Sequence, residues 1–357
     1  MQGKIAARDL IEHRYHIVLA DLQRESASKL FERFPDITFE FVDLKNIEAT
    51  EEVIRKFKPK VVVNCAEGDW NLNVYKACLE SGVHVIDLGS DIAMTKEQLA
   101  MGPYFGEDGL TAITGCGSTP GINNIALHYA HSQLDLLDSV EAGFAWDSNI
   151  KVFVVPFSIQ SVIEEFTDPA TVIEDGQEKT VVPLETVEER EFRGIGKQKI
   201  LKVRHPETYT FFLYNQNDGL KNVSYYAGFP DHSFNAILDF IKQDIPINEL
   251  SEKLRKVVPP ANYKEKENLW VNVSGTKNGE PKRILMETIV DTQDGWEDAG
   301  CNVDTGQPAS IIAQMIYDGR IEKRGSFAPG PVVPTTEFLK ELKDRQMIMY
   351  CNGVAIN

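Results

Sequence analysis

Over the first 125 residues, short apolar runs alternate with stretches in which apolar side chains recur every three or four positions. The runs at residues 16–20, 37–42, 60–64, 83–88 and 110–114 are rich in Val, Ile, Leu and Phe and predict strands. Between them, residues 4–12, 26–33, 47–57, 70–81 and 96–100 have helical spacing. Strands that are apolar on both faces belong to a parallel sheet covered by helices. The alternation therefore predicts an α/β unit of the Rossmann type, a doubly wound parallel sheet.

After residue 125 the rhythm changes. A helix is predicted at 124–133, and strand-like runs follow at 140–146, 152–155, 209–213 and 222–227, with a helical stretch at 159–166. A hairpin joins 269–274 to 284–290 through Thr276-Lys277-Asn278-Gly279, where Asn-Gly is a strong turn signal. Strands that follow one another without intervening helices predict an antiparallel or mixed sheet and hence a second α+β lobe. The tail returns to helix at 309–317 and 337–344. The expected division is 1–123, 124–303 and 304–357.

The start of the chain reads as the second half of a dinucleotide-binding turn. With Gly3 as the third glycine of G-x-G-x-x-G, Ala7 falls where close helix–strand packing needs a small side chain, and Leu10 lies one turn on. Asp21 closes the next strand 18 residues after Gly3, near the interval of about 20 for an acid that binds a ribose 2′-OH. The first strand and the first two glycines, roughly ten residues, are accordingly expected to be missing. With half the pyrophosphate cradle absent, weak dinucleotide binding is expected. A chance glycine in a frayed terminus is the alternative.

Composition narrows the classes. Of 357 residues, 37 are Lys or Arg and 54 are Asp or Glu, giving a formal charge of −17. That balance argues against a nucleic-acid partner, which would require clustered cations. No run approaches the roughly 20 apolar residues needed to span a bilayer, so no membrane partner is expected. The five scattered cysteines form neither a disulfide frame nor a zinc pattern, and the histidines show no metal-ligand spacing. A cytoplasmic protein without a metal is expected.

Several segments in order resemble the saccharopine dehydrogenase superfamily, most closely its lysine 6-dehydrogenase-like branch. They are residues 61–64, 83–89, Gly117-Ser118-Thr119-Pro120-Gly121-Ile122-Asn123-Asn124, Phe157-Ser158 leading to Thr167-Asp168-Pro169-Ala170, Asp175-Gly176-Gln177, and Lys323-Arg324-Gly325 with Pro329. The resemblance implies a nicotinamide-dependent oxidoreductase acting at the C–N bond of an amino acid, by oxidative deamination or imine reduction. NAD is the expected cofactor, NADP remaining open, and the resemblance implies a homodimer, with 124–303 an inserted α+β substrate and dimerisation domain and the helices of 304–357 returning to the Rossmann domain. A carboxynorspermidine-type imine reductase and an inactive NAD-binding relative are the alternatives.

Ligands of open α/β sheets sit beyond the carboxyl ends of the strands. That rule makes Asp21, Asp43, Asn64, Cys65, Ala66, Asp87 and Leu88 candidates for cofactor contact, together with Gly3. Asp21 suits the ribose hydroxyls of NAD, and nearby Arg24 leaves NADP open. Asp43 either lies beside the adenine or is simply solvated. Asp87 either orients the nicotinamide ribose or a substrate ammonium, or caps the following turn. Gly117, Pro120 and Gly121 open a helix whose backbone a nicotinamide ring would approach. Ser158 fits an N-cap and also a carboxylate site. Arg204 is a candidate for a second carboxylate, and His205, with Asp87, for the general base, against the plainer reading of a surface loop. Relatives often carry an acid where Gly115 stands and Arg-Tyr where Tyr225-Tyr226 stands, which points to Tyr226 as a substrate contact and to altered recognition.

Overall fold

The computed structural model describes residues 1–243, 245–254, 256–257 and 260–357. They form two compact units, Met1–Ile125 with Val303–Glu341, and Ala126–Asn302 with Leu342–Asn357.

In the first unit α1 (Gln2–Glu12), β1 (Val18–Asp21), α2 (Ser28–Arg33), β2 (Thr38–Phe41), α3 (Ile47–Phe57), β3 (Val61–Asn64), α4 (Asn71–Glu80), β4 (His84–Asp87), α5 (Ile92–Ala100), α6 (Gly102–Glu107) and β5 (Thr111–Ile113) alternate as predicted. Asn46 and Asp91 cap α3 and α5 by accepting the N–H groups of Ala49 and Met94. β1 and β2 pair in parallel as a separate sheet. β3, β4 and β5 form a second parallel sheet. Among the described residues no ladder joins β1 to β3. One core gathers Ile54, Val74, Tyr75, Cys78, Val85, Phe105 and Ala112 under α3, α4 and α6. Burying each large side chain there is worth about 1.5–3 kcal/mol. A smaller core joins Ala7 of α1 to Ala27 and Leu30, so the small side chain foreseen at position 7 is where α1 meets the β1–α2 layer.

The chain continues through α7 (Ile122–His131) into the second unit, beginning with β6 (Leu136–Ser148), α8 (Ile159–Thr167), β7 (Ala170–Glu174), β8 (Gln177–Val181), β9 (Glu188–Phe192) and β10 (Gly196–Lys202). There follow α9 (Pro206–Asn215), β11 (Asn222–Phe229), α10 (Asp231–Gln243), α11 (Ile247–Leu254), β12 (Glu265–Lys277) and β13 (Glu280–Asp291). These eight strands, with two more from the end of the chain, build a mixed ten-stranded sheet in which β6 and β11 are parallel and their other neighbours antiparallel. The β12–β13 hairpin turns at Asn278 and Gly279, both with positive φ, as the Asn-Gly signal requires. One face carries an aromatic core in which Phe229 meets Phe144 and Phe166 at 5.8 Å and Phe166 meets Phe234 at 5.0 Å. On the other, Arg190 lies 4.5 Å above Trp270, beside Tyr226.

Three expectations need correction. Residues 209–213 are not a strand but the middle of α9, because Pro206 starts a helix at its first turn. Residues 152–155 are irregular. The tail is not purely helical. α12 (Val303–Tyr317), β14 (Gly325–Phe327) and most of α13 (Thr335–Asp344) belong to the first unit, with β14 extending its parallel sheet beside β5. The closing β15 (Ile348–Cys351) and β16 (Val354–Ala355) instead extend the large sheet beyond β13.

Candidate functional site

In the first unit the candidate residues line the carboxyl ends of the parallel strands. A Cβ on Gly3 would stand 3.4 Å from Cβ of Cys65, so the first turn of α1 lies over the turn that follows β3. The Met1 ammonium, whose pKa burial lowers, also senses Lys4, Cys65 and, at the end of β1, Asp21. No side chain caps α1. Asp21 accepts the N–H of Gln23 through Oδ1 at 2.9 Å, and Asp43 that of Lys45 at 3.0 Å. Each leaves its second oxygen outside its turn. An uncapped helix N-terminus suits a pyrophosphate, and an acid at the neighbouring strand end suits ribose hydroxyls. Arg24 lies over Phe31, 4.6 Å from its ring centre. Burial pushes the Cys65 thiol up to about 12, so it stays protonated and packs rather than reacts.

Asp87 occupies a different kind of place. It is fully buried, and its carboxylate is filled by donors. Oδ1 accepts from the N–H groups of Gly89 at 2.5 Å and Gly115 at 3.2 Å and from the Thr114 hydroxyl at 3.1 Å. Oδ2 accepts from the Tyr75 hydroxyl at 2.8 Å and the Gln98 amide at 2.6 Å. Burial raises its pKa, and hydrogen bonds from Tyr75, Gly89, Gly115 and Gln98 oppose the rise. These donors fill the acceptor positions of both oxygens, the single Thr114 proton lying within reach of either Asp87 Oδ1 or Gln98 Oε1 at 3.0 Å. The expectation that Asp87 is a catalytic base or ribose ligand is therefore corrected: it braces the ends of β4 and β5. Asn64 acts similarly, donating to Asn71 at 2.8 Å and accepting from the N–H of Ala66 at 3.2 Å, while Asn71 reaches the Gly89 carbonyl at 3.4 Å. Cys65 and the exposed Ala66 stay at the edge, and Leu88 is half-buried.

The glycines from 115 to 121 are needed for a reason the sequence did not supply. A Cβ on Gly115, at φ +76°, would fall 2.7 Å from the Pro120 ring, and one on Gly117 would fall 2.9 Å from the Thr305 methyl. Gly121 donates to Asn124 Oδ1 at 3.0 Å. The loop thus packs against itself and α12. Close backbone approach at Gly117 and Gly121 serves that packing and demands no ligand.

In the second unit, α9 opens at His205 and Pro206, placing Glu207 in its first turn. Glu207 is fully buried, with Oε2 3.3 Å from His205 Nδ1. The His205 imidazole lies flat on Tyr225, with centroids 3.8 Å apart and planes inclined by 11°. Tyr226 points to the other face of the sheet, where it meets Trp270 at 5.7 Å and lines a cavity of about 390 Å³ with Glu141, Asn272 and Arg283. Pairing of Tyr225 with Ala142 and of Tyr226 with Gly143 fixes this parity. The tyrosine brought to His205 is thus Tyr225, and Tyr226 lies on the opposite face of the sheet. Arg204 stands 3.5 Å from Asp168 and 3.7 Å from Glu164, so it already has two carboxylates from α8 and its end. Ser158 is exposed and caps α8 by accepting the N–H of Ser161 at 3.4 Å. Among the described residues no three His, Cys, Asp or Glu side chains group as a metal site, and no helix is long and apolar enough to cross a membrane.

Residues 1–113 match the model of the saccharopine dehydrogenase NADP binding domain, and residues 117–348 that of the saccharopine dehydrogenase C-terminal domain. The chain belongs to the saccharopine dehydrogenase family. It is an oxidoreductase of that family, and its cofactor is NAD(P). Among its relatives, the carboxyaminopropylagmatine dehydrogenase of Synechocystis sp. is 23% identical over 322 residues, covering 82% of this chain and 80% of the relative. The carboxynorspermidine synthase of Vibrio cholerae is 22% identical over 319 residues, covering 80% and 76%. The saccharopine dehydrogenase (L-Glu forming) of Saccharomyces cerevisiae has the same fold, with a TM-score of 0.76 at 13% identity over 98% of both chains. The homospermidine synthase of Legionella pneumophila, solved in complex with NAD, gives 0.68 at 13% identity over 98% of this chain and 88% of its own.

For a family that binds a nicotinamide dinucleotide, the uncapped start of α1 and the acid closing β1 are the residues that fit it. Sequence reasoning missed Glu207, Tyr225 and the Asp87 donors Tyr75, Gln98 and Thr114. Only Glu207 left a trace, since Pro206 at a helix start puts residue 207 in the first turn.

Proposed function

We propose that this protein is an NAD(P)-dependent oxidoreductase that reduces the imine formed between an amine and an aldehyde bearing an amino-acid head, and that its product is a carboxylated polyamine. The observation that carries this reading is the pair of relatives covered over about four fifths of both chains, whose names join a carboxyl group to a polyamine-type amine. Charge supports it: the chain carries −17 overall, and Glu164 and Asp168 stand around Arg204 beside His205. Such a field draws in cationic amines.

The bound nicotinamide supplies the hydride that adds to the imine carbon. The first turn of α1 would hold the pyrophosphate and Asp21 the adenine-side ribose, favouring NAD over NADP because a carboxylate repels a 2′-phosphate. His205 protonates the imine nitrogen, which makes its carbon the better hydride acceptor. In the reverse direction it takes the proton from the amine. Holding the two reactants in contact supplies the rest of the acceleration.

The test is cofactor oxidation followed at 340 nm with NADH and NADPH against mixtures of diamines and amino-acid aldehydes, beside NAD or NADP reduction by lysine and by saccharopine. Oxidation only when amine and aldehyde are both present, with the coupled product seen by mass spectrometry, is expected. Turnover of lysine alone, or none with any mixture, would overturn the reading.

A further inference from the structure

The cavity beside Tyr226 takes no part in the amine chemistry, and its wall is fixed by register. Glu141 of β6 pairs with Asn272 of β12, Ser139 of β6 pairs with Ser274, and Ser274 pairs in turn with Arg283 of β13. Side chains alternate along each strand, so these five stand together on one face while Val140, Val273 and Ile284 between them are buried on the other. That other face carries Phe229, packed against Phe166 of α8, and Tyr225, stacked on His205. The five polar residues line one end of the cavity of about 390 Å³, a size that takes a small ligand.

The hydrogen-bonding capacity of this wall is only partly used. Glu141 Oε2 accepts from Arg190 at 3.2 Å and from the Asn272 amide at 3.1 Å, while Glu141 Oε1 and Asn272 Oδ1 accept nothing from the protein. Among the described residues, the hydroxyls of Ser139 and Ser274 and the guanidinium of Arg283 have no hydrogen-bond or ion-pair partner. At the far rim the charges cancel, because Glu174 pairs with Lys179 at 2.7 Å, with Lys202 and Asp175 beside them. One end therefore holds two free acceptors, and two strands away, roughly 10 Å between backbones, a long cationic side chain reaches back over two free hydroxyls.

We propose that this cavity seats a zwitterionic amino acid, its ammonium donating to Glu141 Oε1 and Asn272 Oδ1 and its carboxylate held by Arg283 with Ser139 and Ser274. An ammonium only donates, and a guanidinium fork matches a carboxylate, so each end meets groups of the right kind. A plain amine would leave Arg283 unpaired, and a plain carboxylate would leave both acceptors empty. The seat lies on the face of the sheet opposite His205, so its ligand and the substrate occupy different places.

Titration calorimetry of the full chain with L-glutamate, L-lysine, succinate and 1,4-diaminobutane tests the assignment, with NMR shifts of the Ser139, Asn272 and Ser274 amides locating the ligand. Saturable binding of an amino acid with shifts at those three amides is expected, and binding about tenfold or more weaker in Arg283→Ala and in Glu141→Gln. Arg283 is exposed, so its replacement leaves the core untouched, and the shifts in the unaltered protein decide without any variant. Succinate or diaminobutane binding there as tightly as the amino acids would overturn the proposal, as would unmoved amides with every probe. So would a dimer in sedimentation velocity that Arg283→Glu dissociates and that takes up no amino acid, since a second copy would then cover this face.

Discussion

Replacing Asp87 by Asn separates a brace from a catalytic base. Five donor groups stand within hydrogen-bond distance of the carboxylate, three at Oδ1 and two at Oδ2, the single Thr114 proton being shared between Asp87 and Gln98 Oε1. An asparagine has one acceptor oxygen, so its amide must face at least two of these donors. Placed toward Tyr75 and Gln98, the amide leaves the Tyr75 hydroxyl able to turn and accept. The Gln98 amide can accept only by flipping, which turns its nitrogen toward Thr114 Oγ1, 3.0 Å from its present Oε1, while the turned Tyr75 hydroxyl loses Asp87 as the acceptor of its own proton. At least one buried donor is then unsatisfied, at about 1–3 kcal/mol, and the remaining bonds lose their charge assistance. The sum is about 3–5 kcal/mol, a large share of the 5–15 kcal/mol that typically holds a native protein. Tyr75→Phe, which removes one donor, should cost about 1–2 kcal/mol. Urea unfolding followed by circular dichroism gives the energies, and amide exchange at Gly115, whose N–H bonds to Asp87, reports the local opening. Asp87→Asn is expected to lower the midpoint and to speed that exchange. Unchanged stability and exchange, with kcat down a hundredfold, would refute the brace and return Asp87 to the chemistry.

Three further outcomes follow from the same kind of accounting. A Cβ on Gly306 of α12 would lie 2.5 Å from Ile5 Cβ and 3.1 Å from the Ala6 nitrogen, so Gly306→Ala must push α12 from α1. About 1–3 kcal/mol of overpacking outweighs the roughly 1 kcal/mol that alanine gains in a helix, and urea unfolding together with weaker NADH binding by fluorescence should show it. Glu165 of α8 has a buried carboxylate oxygen without a hydrogen-bond partner, and burial, with Glu164 adding, pushes its pKa well above the usual carboxylate range. The folded state then holds that proton more tightly than the unfolded chain, so stability declines as pH rises from the ordinary glutamate value through the raised one. Glu165→Gln should be more stable than the parent by about 1–2 kcal/mol at pH 8, an advantage that shrinks toward pH 4 in denaturant titrations. Asp21→Ser should weaken NAD binding and narrow the margin over NADP in parallel titrations; an unchanged ratio would remove Asp21 from the cofactor site.

The first unit was legible because its strands are apolar on both faces and its helices have clear spacing, so period alone identified them. The Asn278-Gly279 hairpin was legible because few residues accept positive φ. Residues 209–213 misled because Tyr-Thr-Phe-Phe-Leu has strand composition, whereas Pro206 and the first-turn Glu207 favour a helix and burial then covers most of it. Tyr225 and Tyr226 could not be told apart, since one residue of register exchanges the faces of a strand. Asp87 looked catalytic because an acid at a strand end usually is exposed. Its donors come from α4, α5 and the ends of β4 and β5, a convergence that only the folded chain assembles.

The central claim, hydride delivery to a carbon bonded to nitrogen, is tested most directly by isotope transfer. The protein is incubated with amine, aldehyde and NADH or NADPH deuterated on the transferable face of C4, and the product is read by mass spectrometry and proton NMR. A coupled amine one mass unit heavier, with deuterium on the carbon attached to its new nitrogen, is the predicted result. Deuterium on an alcohol carbon, or in no product at all while the cofactor stays reduced, would contradict it.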